Sequence, residues 1–197
     1  IFIIYSFLSF FILVLLSISG IRLFNSLNLA MTLVSNGGFL PSDNLKEIIN
    51  SNFQKIILVL SLTFSLLNFY LIFNIFNKKI LLTQHKEDFY LLFLAFILII
   101  LIYFNNFDGL NVIISVISSL ANSGITLLKT ENNLSLYFLL ITIIGGSLIS
   151  NSSGIKLSRF YILLKITASE IIKLISPNSV INKTIFNTDN KITDDNV

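Results

Sequence analysis

The sequence predicts an all-α integral membrane protein built from repeated helix–re-entrant loop–helix units, with four spans and two half-helices. Three observations carry that prediction. The 197 residues are 54% hydrophobic and 12% charged, with a mean hydropathy of +0.87; a soluble domain carries about twice that charged fraction. Long apolar runs alternate with short polar stretches. Twice, a shorter apolar run lies between two long ones and ends on a glycine turn, first at Ser35-Asn36-Gly37-Gly38-Phe39 and then at Ala121-Asn122-Ser123-Gly124-Ile125.

These two turns organise the chain. A helix from Arg22 to Val34 would reach about 20 Å at 1.5 Å per residue, against roughly 30 Å of hydrocarbon. It can enter a bilayer but not cross it. Adjacent glycines then open backbone conformations closed to other residues. A Gly-bearing strand hung from a half-helix can turn its carbonyls into a watery path, which is how ion filters are built. A shift of 86 residues places Asn25, Asn36 and Gly38 on Asn111, Asn122 and Gly124. Few positions are identical, so the repeat rests on the shared order of span, half-helix, turn and span.

Taken in order, Ile1 to Ile18 is the first span, ended by Ser19-Gly20. A signal peptide would need a basic start and a small-residue cleavage site, and neither is present. The first half-helix and turn follow. Leu40 to Asn44 is a loop, in which Ser42 or Asp43 could cap a short helix through Asn50. Phe53 to Phe76 reads as one span, with Asn68 and Asn74 as interhelical hydrogen-bond partners and Ser61, Thr63 and Ser65 as close-packing residues. Asn77-Lys78-Lys79 marks an exit. The turn to Asp88 carries His85, Lys86, Glu87 and Asp88, read as a solvated charge group and helix cap, not a metal cluster.

Phe89 to Phe104 is the third span. Asp108 is the expected N-cap of the second half-helix, Leu110 to Leu120. After the polar stretch Thr126 to Asn133, Leu134 to Ile149 begins the fourth span. That span is interrupted by Gly145-Gly146-Ser147-Leu148-Ile149-Ser150-Asn151-Ser152-Ser153-Gly154-Ile155-Lys156 before Leu157 to Ile166 resumes it. Broken helix at membrane depth is tolerated where it is buried in protein or lines water, a suitable place for a gate. Gly145-Gly146 also fits the small-residue packing of membrane helices. Lys156 is either a snorkelling anchor or a residue that holds the loop or repels cations at the inner mouth. Ala168 to Ile175 reads as a separate surface helix before Pro177.

The residues also exclude function classes. The absence of cysteine rules out disulfides and thiolate metal sites, and one histidine rules out a His-rich centre. No span holds an ionisable residue except near Lys156, which argues against a proton relay. No nucleophile–base set, phosphate loop or paired carboxylates support an enzyme, so neither a catalytic residue nor a cofactor is expected. The basic residues track the expected membrane boundaries, which argues against nucleic acid as a partner. Nine of them (Lys78, Lys79, Lys86, Lys156, Arg159, Lys165, Lys173, Lys183, Lys191) fall on one side, against Arg22, Lys46, Lys55 and Lys129 on the other. The positive-inside rule then puts residues 78–88 and the C-terminal segment in the cytoplasm, with both turns entering from outside. The chain reads as a fragment of a longer protein.

At this level of detail the chain resembles a known family. NLAMTLVSNGGFLPSDN is similar to a pore loop of the Trk/Ktr/HKT potassium-transporter superfamily. GGSLISNSSGIKLSRFYILLK resembles that family's GG-x-x-G-S-T-x-G-G-I-K segment, and SEIIKLISPNSVI the stretch after it. The likeness is strongest to the bacterial TrkH branch and runs over nearly the whole chain. It implies half of a pseudo-fourfold pore, with this chain as the second and third repeats: 1–77, a cytoplasmic loop 78–88, 89–166, and a cytoplasmic segment 167–197.

The resemblance also implies roles. Ser35, Asn36, Gly37, Gly38 and Phe39 would form one quarter of a selectivity filter, and Ala121, Asn122, Ser123, Gly124 and Ile125 another, with potassium as the transported ion. Gly145, Gly146, Ser147, Ser150, Asn151, Ser152, Ser153, Gly154 and Lys156 would belong to an intramembrane gating loop. A homodimer in the cell inner membrane, contacting lipid and a cytosolic nucleotide-binding regulatory subunit, is the implied assembly. The chain departs from the family pattern at Ile149, Ser152 and Ser153, where glycine is usual. It departs again at Asn122-Ser123-Gly124-Ile125, where Thr-Thr-Gly-Phe is commoner.

Overall fold

The computed structural model describes residues 2–42, 44–76, 85–104, 108–127 and 132–176. Its described residues form eight α-helices and no strand: α1 (Phe2–Ile18), α2 (Leu23–Ser35), α3 (Asn52–Leu66), α4 (Phe69–Phe76), α5 (Lys86–Tyr103), α6 (Gly109–Ala121), α7 (Asn132–Ile143) and α8 (Leu157–Ile175). The all-α class is therefore as the sequence predicts. Asp43, the Lys78-Lys79 exit, Lys129 and the segment from Pro177 onward lie outside the described residues.

Both half-helices end within a residue of their expected limits. Arg22 precedes α2 in extended conformation. Asp108 stands at the N-cap of α6, but its carboxylate caps no backbone N–H; it accepts from Asn111 Nδ2 at 3.2 Å instead. The loop after the first turn holds a single 3₁₀ turn, Leu45–Glu47, with Asn44 before it, and not a helix reaching Asn50. Ser42 Oγ donates to the Asn44 carbonyl and caps nothing. α3 begins with a full capping box: Ser51 Oγ accepts from Gln54 N–H while Gln54 Oε1 accepts from Ser51 N–H.

The second span is not one helix. α3 and α4 are bent by 111° at Leu67–Asn68. The backbone groups freed there are satisfied from distant parts of the chain. The Leu66 carbonyl accepts from Ser147 N–H at 3.2 Å, and Phe69 N–H donates to the Ile149 carbonyl at 3.0 Å. Asn68 N–H donates to Asp88 Oδ1 at 3.0 Å, and Asn68 Oδ1 accepts from Tyr70 N–H, capping α4. So Asn68 is a local cap and not an interhelical bridge, whereas Asn74 does reach another element, with Nδ2 3.0 Å from His85 Nε2. Among the described residues no single helix is long and apolar enough to cross a membrane; the α3–α4 pair passes only by length and composition. α8 runs unbroken from Leu157 to Ile175, so no separate helix starts at Ala168 and no structural boundary falls at 166–167.

One apolar core joins these elements. Leu29 and Leu33 of α2, Leu58, Leu62 and Leu66 of α3, and Ile114 and Leu120 of α6 are all fully buried within it. α3 packs along α6, α1 along α2, and α5 and α7 close over α6. Both half-helices thus pack against α3, and the turns at their C-termini come together where Gly38 meets Ser123.

Candidate functional site

The two glycine turns have the same backbone. α2 ends on Asn36 in the left-handed region (φ 53, ψ 35), and α6 ends on Asn122 (φ 58, ψ 32). Among the described non-glycine residues only these two have positive φ, a conformation that asparagine tolerates better than most. Two residues on, Gly38 (φ 72) and Gly124 (φ 69) are positive as well. Gly37 N–H donates to the Thr32 carbonyl at 3.1 Å, and Ser123 N–H to the Ser118 carbonyl at 3.0 Å. These bonds satisfy helix-end carbonyls in the manner of a Schellman cap.

The turns meet. A Cβ added to Gly38 would stand 2.7 Å from the Ser123 carbonyl oxygen, so only glycine fits there, while one added to Gly124 would meet nothing within 4 Å. Ser35, Gly37, Gly38 and Phe39 are exposed, whereas Ala121, Ser123 and Ile125 are buried. Phe39 and Ile125, matched in sequence, therefore differ in place: one points out and the other into the core. Thr32 Oγ1 donates to the Phe39 carbonyl at 2.6 Å and fixes the first strand. At the matched position in α6, Ser118 pairs with Ser123 Oγ at 2.9 Å.

The interrupted stretch 145–156 lies against both turns. Asn151 Nδ2 donates to the Val34 carbonyl near the end of α2 at 2.6 Å. Gly154 lies so close to Asn122 that a Cβ there would stand 2.9 Å from Asn122 Nδ2. The stretch is closed at its base by a parallel bridge between Ile144 and Ile155. Gly145 N–H donates to the Ile155 carbonyl at 2.8 Å, and Ile155 N–H to the Ile143 carbonyl at 3.0 Å. Gly145 is required at this clasp, because a Cβ there would collide with the Ser153 carbonyl.

Serines stitch the interior of the loop. Gly146 N–H donates to Ser152 Oγ at 2.7 Å, and Ser150 Oγ donates to the Ser147 carbonyl at 2.8 Å. Ser152, which replaces a glycine usual in the resembled family, thus serves as an internal support. Ser153 has no side-chain role to set beside it. Lys156 Nζ points back into the loop and donates to the Ser150 carbonyl at 3.0 Å and to the Ser152 carbonyl. Of the sequence readings of Lys156, the structure favours the residue that holds the loop.

The group at the start of α5 corrects an expectation. His85 and Asp88 are buried, at 4% and 1% exposure, and not solvated. Asp88 caps the α4 end through Asn68, as above, and His85 Nδ1 lies 3.5 Å from Asp88 Oδ2. Glu87 Oε1 accepts from Ser158 N–H at the start of α8. No cluster of three or more metal-ligating side chains exists among the described residues. The group is a polar strut between the broken second helix and the loop. Its contacts reach residues 11 to 71 positions away, which the local sequence does not reveal.

Comparison with known proteins gives a concordant picture. No protein-family model matches the chain. It is 27% identical over 175 residues to a protein described as an uncharacterized cation transporter of Methanocaldococcus jannaschii, covering 85% of this chain. It superimposes on the crystal structure of the potassium transporter TrkH from Vibrio parahaemolyticus with a TM-score of 0.78, covering 94% of this chain at 20% identity. The chain spans 35% of the length of the first and 43% of the second.

Proposed function

We propose that this chain, which has the fold of the Trk-type potassium transporters, lines part of a cation pathway across a membrane. The observation that carries the reading is the duplicated turn. Two half-helices deliver left-handed asparagine–glycine turns to one place, where Gly38 approaches the Ser123 carbonyl. Backbone carbonyls so arranged can replace an ion's water shell without charged side chains. Residues 35–39 and 121–125 would each supply one portion of the filter, and the 145–156 loop, bonded to the end of α2, would gate it. Similarity to a cation transporter and to TrkH supports transport as the class.

Potassium as the ion, uptake as the direction, the cell inner membrane as the location, and a homodimer with a cytosolic nucleotide-binding regulatory subunit complete the proposal. Two turns cannot surround an ion, so the rest of the pathway must come from other polypeptide. Sodium or mixed-cation transport on the same architecture is the rival, and a non-conducting membrane scaffold is the alternative from another class.

The test is potassium uptake by the full-length protein in cells lacking their own uptake systems, at low external potassium, with sodium as comparison. Rescue by potassium alone supports the proposal. Uptake of both ions favours the mixed pathway. No uptake of either ion, with protein present in the membrane, rejects transport in favour of the scaffold.

A further inference from the structure

We infer that the break between α7 and α8 contains a monovalent-cation site, and that the chain fills it with its own Lys156. Four oxygens surround the ammonium: the Ser150 carbonyl at 3.0 Å, Ser150 Oγ at 3.3 Å, Ser152 Oγ at 3.2 Å, and the Ser152 carbonyl. An ammonium has three hydrogens. Four acceptors around it form a cage about a charge and not a set of three directed bonds. Two are backbone carbonyls and two are hydroxyls, and none is a carboxylate. Oxygens of this kind suit a weakly hydrated monovalent ion, whereas calcium sites draw on carboxylates and magnesium keeps its waters. An ammonium is close to potassium and rubidium in size and charge, so whatever cradles one will accept the others.

The cage is built before the cation arrives. Ser152 Oγ is fixed by Gly146 N–H and Ser150 Oγ by the Ser147 carbonyl, which leaves oxygen lone pairs for the centre. The clasp at Ile144–Ile155 holds the ends of the loop. Glu87 lies within electrostatic reach of Lys156, and its carboxylate offsets one positive charge whichever species is bound. The lysine side chain is a compact charge on a flexible four-carbon stem, so it can withdraw without unfolding the loop. Occupancy by lysine and by a free ion then exclude each other.

Since Asn151 of the same loop bonds to the α2 terminus, the exchange would take place beside the first glycine turn. Its role in gating rests on the pore reading above, but the site itself does not.

The test uses the purified full-length protein, with rubidium as the probe. Lys156→Met should bind about one more rubidium per chain than the wild type. Adding Ser150→Ala and Ser152→Ala should weaken that extra site at least tenfold. The Lys156→Met protein should also melt at higher temperature in rubidium than in choline, by more than the wild type does. No extra site in a folded Lys156→Met protein overturns the inference, as does an extra site indifferent to the serine changes. If Lys156→Met folds in rubidium but not in choline, the inference stands; if it fails in both, the inference falls, because a free ion should then fill the cage. Wild-type uptake is measured alongside. Absent uptake with the extra site present removes the pore reading alone, and normal uptake without the extra site removes only the present inference.

Discussion

The turns at Asn36 and Asn122 share their backbone angles to within a few degrees, yet they sit in unlike surroundings. α6 is enclosed by α3, α5 and α7, and ten of its thirteen residues are buried, so Ala121, Ser123 and Ile125 of its turn are held by packing while Gly124 stays exposed. α2 presents Leu23, Phe24, Leu27 and Met31 outward at 44–71% exposure, and its turn is exposed at Ser35, Gly37, Gly38 and Phe39. The likeness shows that the conformation is set locally, by a helix end, a left-handed asparagine and a glycine two residues on. The difference shows that the support is not local. At the second turn it comes from packing, and at the first from single hydrogen bonds: Thr32 to the Phe39 carbonyl, Ser65 to Asn36 Oδ1, and Asn151 to the Val34 carbonyl.

The largest test of that contrast is at the glycines. Gly38→Val combines strain at positive φ with collision against the Ser123 carbonyl. It should lower cation uptake at least 100-fold, equivalent to about 2.7 kcal/mol, while the protein still reaches the membrane. Gly124→Val meets only the strain, about 1–2 kcal/mol, and should lose less. Equal losses at both would show that the turns depend on each other more than their packing suggests.

Next come the two half-helices themselves. Leu120→Ala, in α6 at 0% exposure, should destabilise the full-length protein by about 2–5 kcal/mol, read from unfolding in detergent. Leu27→Ala, in α2 at 44% exposure, should cost under about 1 kcal/mol, because little burial is lost. A similar cost at Leu27 would mean that further polypeptide covers α2 in the whole protein.

The asparagines divide more finely. Asn122→Ala loses tolerance of the left-handed conformation, and Asn36→Ala also loses the bond from Ser65. Asn36→Ala should therefore be the worse of the two by about 1 kcal/mol, and replacing either asparagine by glycine should restore most of the loss. Within the first turn, the smallest effect is expected at Thr32→Val, which removes the hydroxyl donated to the Phe39 carbonyl. It should cost roughly 1 kcal/mol and be seen more clearly as altered ion preference in uptake than as a change in melting.

What could be read from the sequence follows the same division between local and distant causes. The half-helix limits, the glycine turns and the interruption at 145–156 are written in apolar period and glycine placement, and they stand where expected. The Ser51-x-x-Gln54 capping box was equally visible as a motif, but the strong apolar run after Phe53 drew the span's start past it. The bend at Leu67–Asn68 was not readable as local chemistry. It has neither proline nor glycine, and its freed backbone groups are met by Ser147, Ile149 and Asp88. The repeat did hold a hint, since the shift of 86 places Leu67 and Asn68 on Ser153 and Gly154, inside the interruption of the second copy. His85 and Asp88 were misplaced for a related reason: a charged cluster beside a helix start is usually solvated, and only tertiary contacts bury this one.

The clasp between Ile144 and Ile155 carries a consequence for how this protein can change over generations. Because the two ends of the loop are bonded to each other, α7 and α8 are held in register across the interruption. Inside the ring, Gly146, whose Cβ would stand 2.6 Å from the Leu66 carbonyl, and Gly154, at positive φ beside Asn122, are as constrained as Gly145, and Ser147, Ile149 and Asn151 are tied to the ends of α3, α4 and α2. Descendants of this sequence should keep all three glycines and vary most readily at Ser153, which is exposed and whose hydroxyl holds nothing.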